Sequence, residues 1–479
     1  MKKHVKKKVV RILVSLLVVL IIVGSYQTHK PLPKGVSYES KPHKVEDVFL
    51  LSDLTYQDQQ TSVSEQHIFQ AVTNVIDDAK AFIIMDMFLF NGYYNQGETF
   101  PHLSDTLASK LIEKKRKHPN IAIVFITDEI NTTYGSHDSK WLDSLRLNGI
   151  KVVQTNLSKL RDSIPLYSSV WRTFVQWFGE KGNGWITNPF GTNAPKATVR
   201  AYLKLLNVKA NHRKVVATDQ SVIISSANPH DASFYNSNMA FEVKGNIIGD
   251  VVKSEQAVSD FSYGGKLPRY KKKEKEKEKE KGDLYVQLLT EGKIYKHVLH
   301  DLHHAKKGDD VWLGMFYLGD RDVIKALLKA SKQGANVRLI LDPNENAFGR
   351  KKFGLPNRPV AAELVKKSKG DIEIRWYHTG KEQYHSKTLF IRNKKNATII
   401  AGAANFTKRN LADLNLETDI KVSGPSNKKV MTELNAYFDR LWTNKDYTYT
   451  LPYKRYENKM TRLEMLIYRI QDALSLTTY

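Results

Sequence analysis

Apolar and polar positions along this chain follow two periods in succession, and the same succession occurs twice. Residues 68–90, "IFQAVTNVIDDAKAFIIMDMFLF", show helical spacing and then an unbroken apolar run, which predicts an amphipathic helix followed by a buried strand. Residues 294–318, "IYKHVLHDLHHAKKGDDVWLGMFYL", have the same order. Helix, turn and apolar strand come next in each half, at 111–128 ("LIEKKRKHPNIAIVFITD") and 327–342 ("LLKASKQGANVRLILD"). A third pair follows at 142–153 and 361–376. Alternating helices and short apolar strands predict an α/β fold with a mixed sheet flanked by helices in each half.

Between the halves, "KKKEKEKEKEKG" at 271–282 has no apolar face and reads as a solvated linker or exposed helical spike. Taking the linker as 269–283, the halves are expected to span 45–268 and 284–450. Half one carries an insertion, 157–206, that half two lacks. It contains Trp171, Trp177 and Trp185, three of the seven tryptophans. Trp171, Phe174 and Phe178 are spaced to share one face of a short helix. That face reads as an aromatic platform entering a lipid interface, as a packed subdomain over a site mouth, or as a surface for stacking bases. The C-terminal segment 451–479 is expected to hold an amphipathic helix, with Leu463, Leu466, Ile467, Ile470, Ala473 and Leu474 on one face.

At the other end, a basic leader (1–8) precedes the apolar run "VVRILVSLLVVLIIVGSY" at 9–26. Its length is near the ~20 residues that span a bilayer. Lysines before it and none inside place the N-terminus in the cytoplasm and the body outside the cell membrane, behind a single span. A cleaved signal peptide is the rival reading, though Val23-Gly24-Ser25 matches a cleavage site only loosely.

Charge adds a partner class. The net charge is +24 over 479 residues. The leader with Arg11 supplies +6 and the linker run +3, which leaves +15 on the body. Such a surface attracts polyanions, whether anionic lipid or nucleic acid. With no cysteine, disulfides, thiolate metal sites and cysteine nucleophiles are excluded.

Candidate chemistry emerges only from the repeat. His-x-Lys occurs four times, at His4, His212, His304 and His385. His4 lies in the leader, and His304 ends a predicted helix with no counterpart in half one. His212 and His385 fall at the same point of both halves, each entering a predicted strand. After His212 come Lys214, Asp219, Ser225, Ser226, Asn228 and Glu242; after His385 come Lys387, Asn405 and Glu417. One residue between His and Lys puts both on the same face of a strand.

This doubled pattern resembles the phospholipase D superfamily, whose signature is H-x-K-x4-D followed by a glycine/serine–asparagine turn and an acidic residue. The resemblance covers both halves and implies that they pack about a pseudo-twofold axis, with both motifs lining one site. It further implies phosphodiester chemistry without a metal or other cofactor: one histidine forms a phosphohistidine and the other protonates the leaving oxygen. By family habit His212 is the nucleophile and His385 the acid. Lys214, Lys387, Asn228 and Asn405 would hold the phosphate, Glu242 and Glu417 would orient His212 and His385, and Asp219 and Ser226 would support the site. The second motif departs from the signature, with Arg392 where aspartate is expected and Ala403 for the usual serine. Ser225 stands in place of glycine in the first.

The expected function is a membrane-anchored phosphodiesterase on membrane phospholipids, of the phospholipase D or cardiolipin synthase kind, working as a monomer. The anchor, the aromatic insertion and "HRKVVATD", close to the "HRK" form in cardiolipin synthases, favour it. A membrane-tethered nuclease is the alternative enzyme. A non-catalytic binder of anionic polymers, motivated by Arg392, is the alternative outside enzymology.

Overall fold

The computed structural model describes residues 2–58, 61–271, 281–347, 350–351 and 353–457. The helical segment expected at 460–476 and most of the charged linker lie outside them.

Each half folds around one mixed sheet. In half one the strand order is Thr61–Glu65, Val48–Asp58, Asn238–Val243, Val222–Ser225, Lys214–Thr218, Phe82–Met87, Ala122–Thr127, Lys151–Gln154. In half two it is His43–Val45, Leu284–Thr290, Thr418–Pro425, Asn396–Gly402, Lys387–Arg392, Asp310–Met315, Asn336–Leu341, Ile372–Tyr377, Thr450–Pro452. From the second strand onward the two orders correspond element for element. Three parallel strands, each reached through a helix, join an antiparallel set that contains the strand after His-x-Lys. The predicted helix–strand pairs are all present, among them Ile68–Asp78 with Phe82–Met87 and Gly292–His304 with Asp310–Met315. His304 closes its helix, away from any strand.

The parallel strands read as continuous apolar runs because both of their faces are covered. Phe82–Met87 is buried at every position. One core lies under the helices of each half, and a third joins Ile224, Phe241 and Met239 of half one to Val286, Ile399 and Phe390 of half two. The two sheets therefore share an apolar contact face along the pseudo-twofold axis, with Asn238–Val243 packed on Asn396–Gly402.

Two segments cross the expected boundaries. His43–Val45, ahead of half one, pairs with Leu284–Thr290 and so edges the sheet of half two. Thr450–Pro452 pairs with Ile372–Tyr377, so the start of the C-terminal segment is an edge strand.

At the N-terminus, Lys2–His29 is one helix whose apolar stretch, of mean hydropathy 2.6, is almost wholly exposed. The insertion does not present its aromatics as spaced. It forms an α-turn (Pro165–Val170), a π-turn (Trp171–Val175) and a 3-10 turn (Gln176–Phe178). The wider π-turn shifts the register, so Trp171 is buried while Phe174 and Phe178 stay exposed.

Candidate active site

The two His-x-Lys segments meet at the axis by exchanging backbone bonds between halves. His212 N–H donates to Leu416 C=O at 2.9 Å, and Leu416 N–H donates to Ala210 C=O at 3.0 Å. On the other side His385 N–H donates to Ser237 C=O at 2.8 Å, and Ser237 N–H to Gln383 C=O at 2.9 Å. Each histidine is thus seated against the strand entry of the opposite half.

Side chains repeat the symmetry. Lys214 Nζ donates to the His212 carbonyl and Lys387 Nζ to the His385 carbonyl, both at 2.7 Å. Phe88 lies 4.8 Å from the His212 ring, with Lys214 Nζ 5.2 Å from its centroid. Phe316 lies 5.0 Å from the His385 ring, with Lys387 Nζ 5.3 Å away. Asp128 accepts from the N–H of Asn211 and Asp342 from that of Tyr384, at 2.6 and 2.7 Å. Each strand-end aspartate therefore fixes the residue just before a histidine. Phe88, Phe316, Asp128 and Asp342 were not singled out from the sequence. Their signal lay in the repeat itself: "MF" ends the first strand of both halves, and the next strand ends in "FITD" or "LILD".

The imidazole partners correct the sequence-based assignment. His212 Nδ1 is 2.9 Å from Glu417 Oε2, so Glu417 serves the histidine of the other half rather than His385. His385 Nδ1 is 3.0 Å from Asn238 Oδ1, which also accepts from Ser226 Oγ at 3.1 Å. Glu242 does not orient a histidine. It sits half-buried opposite Phe49 and Ile223, four residues and roughly 13 Å beyond Asn238 along its strand. The crossed backbone bridges make Asn238 the counterpart of Glu417, a relation that counting forward from each motif's own histidine misses.

Asp219 also lies away from the histidines. It ends the strand that Lys214 begins, and its Oδ1 accepts from the N–H groups of Lys80 and Ala81, both at 2.9 Å, in the turn before Phe82–Met87. Arg392, its counterpart, pairs across to Asp310 and binds Asn435. The turn in half two is held instead by Asp309, which caps Lys306 N–H at 2.9 Å and receives Asn393 Nδ2 at 3.0 Å. Replacement of the motif aspartate by Arg392 therefore removes no group from the space around His385.

The site is dry and crowded with charge. His212 and His385 are 9% and 6% exposed, and Lys214, Lys387 and Glu417 are buried. Burial, then Lys214 and Lys387, pull His212 well below the usual imidazole range. Burial, Lys387, Lys214 and His212 do the same to His385. Burial brings Lys214 down to about 7 despite Glu417, and it lifts Glu417 to about 8 despite Lys214. Burial also drives Lys387 well below the usual lysine range, reinforced by Lys214. Two cations are crowded into low dielectric, a setting that an incoming anion would relieve. Asn228 and Asn405, symmetric and buried beside the two motifs, each have a side-chain oxygen with no partner among the described residues. Two lysines and two imidazoles around one dry space make a setting for a tetrahedral anion, to which the amides of Asn228 and Asn405 would present Nδ2.

Comparison with known proteins agrees in fold. Residues 298–442 match the family model described as "Cardiolipin synthase, PLD-like domain". The fold is shared with phosphatidylserine synthase from Haemophilus influenzae Rd KW20, at 10% identity and a TM-score of 0.58, covering 91% of this chain and 95% of that one. Nuc, a phospholipase D family member from Salmonella typhimurium, aligns over 34% of this chain and 95% of its own, at 21% identity and a TM-score of 0.27. No curated protein sequence is significantly similar to this one.

Proposed function

We propose that the chain is a phospholipase D-like, membrane-anchored phosphodiesterase acting on phospholipids through a phosphohistidine, a reading supported by the family-model match over residues 298–442 and by the shared fold. The observation that carries this reading is the pair of symmetry-related His-Lys-Asn sets around one buried, cation-rich space. The exposed apolar helix Lys2–His29 supports a membrane location, with the body on the extracytoplasmic side.

Glu417 and Asn238 divide the roles. Glu417 on Nδ1 leaves Nε2 of His212 to attack phosphorus; burial lifts Glu417 to about 8, and the positive charge that the ring gains draws it into the carboxylate form that offsets that charge. Asn238 offers His385 an acceptor without charge, so that ring gives up a proton more readily. As the His212 Nε2–P bond forms, the P–O bond to the leaving alcohol breaks and His385 protonates that oxygen. An acceptor alcohol then loses its proton to His385, attacks phosphorus and frees His212. Lys214, Lys387, Asn228 and Asn405 bind the non-bridging oxygens as charge builds. The closed setting favours an alcohol over bulk water, so phosphatidyl transfer is the preferred outcome.

The test uses the full chain in phosphatidylglycerol vesicles with EDTA, beside His212→Ala and His385→Ala. Lipid turnover lost in both variants is expected, with an acid-labile phosphoryl adduct on His212. Cleavage of single-stranded oligonucleotide without lipid turnover would assign the nuclease instead, and no turnover of either would remove the enzymatic reading.

A further inference from the structure

We propose that the insertion is a second membrane contact, an apolar ridge that seats the catalytic body on the bilayer crossed by Lys2–His29. It rests on reading that helix as a span, and it goes beyond the reaction itself. Leu166, Val170, Phe174, Trp177 and Phe178 follow one another along the exposed side of 165–178, and Leu166, Trp177 and Phe178 are more than 70% exposed. Trp185, 71% exposed, lies in the same insertion. Single exposed apolar residues are ordinary; several large ones on one short segment mark a contact surface.

Continuity with the anchor identifies the occupant. The turn Pro165–Val170 packs directly on Lys2–His29, with Gly24 at the contact. A Cβ there would stand 3.3 Å from the Pro165 carbonyl oxygen and 3.5 Å from Ser169 Cβ. Gly24 lies in the last apolar turn, beside the exposed Ile21, Ile22 and Tyr26. With the apolar stretch spanning the hydrocarbon, Gly24 stands at the outer interface, and the ridge stands at the same level. Tryptophan and phenylalanine are the side chains favoured at that depth.

The ridge is braced toward the site. Gln27 C=O accepts from Asp162 N–H at 3.1 Å, and Lys30 C=O from Arg161 Nε at 2.8 Å. Asp162 in turn takes two bonds from Arg172 at the ridge base, at 2.7 and 2.8 Å, and pairs with Lys209, three residues before His212. Arg161 reaches Asp413 of half two at 3.7 Å, in the loop between Asn405 and Glu417. Both halves of the site are thus tied to the point where the anchor leaves the membrane.

A chain without cysteine allows single probes to read this directly. Phe174→Cys, Trp177→Cys and Phe178→Cys, with Leu17→Cys in the anchor and Leu147→Cys at an exposed position outside the insertion, would each carry an environment-sensitive fluorophore. The full chain would be reconstituted in phosphatidylglycerol/phosphatidylethanolamine vesicles. Probes at 177 and 178 are expected to shift to the blue, to resist aqueous iodide about tenfold better than the probe at 147, and to be quenched by lipids labelled near the headgroup. Iodide access at 177 and 178 equal to that at 147, with the Leu17 probe protected, would overturn the ridge while leaving the anchor in place. A Leu17 probe open to iodide would overturn both. Neither result depends on catalysis, so failure of the phosphodiesterase reading is separately visible.

Discussion

His212 Nδ1 meets Glu417 at 2.9 Å, whereas Nδ1 of its symmetry mate His385 meets the amide of Asn238, at 3.0 Å. The fold is twofold, but the charge behind the two imidazoles is not. An anionic partner stabilises an imidazole carrying positive charge, and a neutral one does not. Glu417→Gln should therefore lower kcat by roughly a hundredfold or more, the range of a lost acid–base or orienting partner, while KM changes little. Single-turnover kinetics would check it, and a drop in adduct formation on His212 places the loss in the first step.

Asn238→Asp tests the other side of the asymmetry. A carboxylate beside His385 raises that ring's pKa, so the protonated acid persists to higher pH. The alkaline limb of the kcat profile should move upward, and at neutral pH acceptor activation should slow because the ring releases its proton less readily. Unchanged limbs in pH profiles of wild type and variant would show that His385 is not the acid.

The lysines predict a pH dependence of their own. Burial brings Lys214 to about 7, and a lysine is charged only below its pKa. For the free enzyme, kcat/KM should fall as pH rises through about 7, because phosphate loses a cation. A bound phosphodiester anion favours the charged lysine, so the fall in kcat under saturation should come at higher pH. Comparing the two profiles measures the shift.

Asp219 holds the turn at the far end of its strand, whereas Arg392 occupies the same place in half two without holding one. Asp219→Ala should cost about 0.5–1.5 kcal/mol of stability by removing the acceptor of an exposed turn's N–H groups, with little change in the kcat of folded protein. Arg392→Asp should leave turnover within about twofold of wild type, because this half-buried position is remote from the site. Thermal unfolding alongside activity distinguishes the two.

Asp162 neutralises Arg172 and Lys209 where all three are buried. Asp162→Asn should destabilise the protein by about 3–5 kcal/mol, since it leaves two buried cations without a carboxylate. Denaturant titration would read this.

The local pattern made much of the molecule legible. Continuous apolar runs bounded by amphipathic helices located the parallel strands, because burial on both faces leaves no other composition for them. The repeat separated His212 and His385 from His4 and His304. The partners were not legible, because each histidine is served from the opposite half. Counting forward from His212 reaches Glu242, but the chain folds so that Asn238 faces His385 and Glu417 faces His212. The shared face expected for Trp171, Phe174 and Phe178 was lost for a local reason, a π-turn that breaks the spacing between Trp171 and Phe174.

By itself, then, the sequence determined the α/β class, the division into two similar halves, the apolar N-terminal run and the paired His-Lys-Asn sets, because periodicity and repetition are properties of the chain order. Only the tertiary structure decided which carboxylate backs which imidazole, how far Asp219 stands from the chemistry, and that the insertion lies against the anchor. Those are contacts between residues from about 140 to more than 200 positions apart; the turn under Asp219 and the seat of the insertion form when half one folds, and the pairing of Glu417 with His212 forms only when the two sheets pack across an axis that no local pattern encodes.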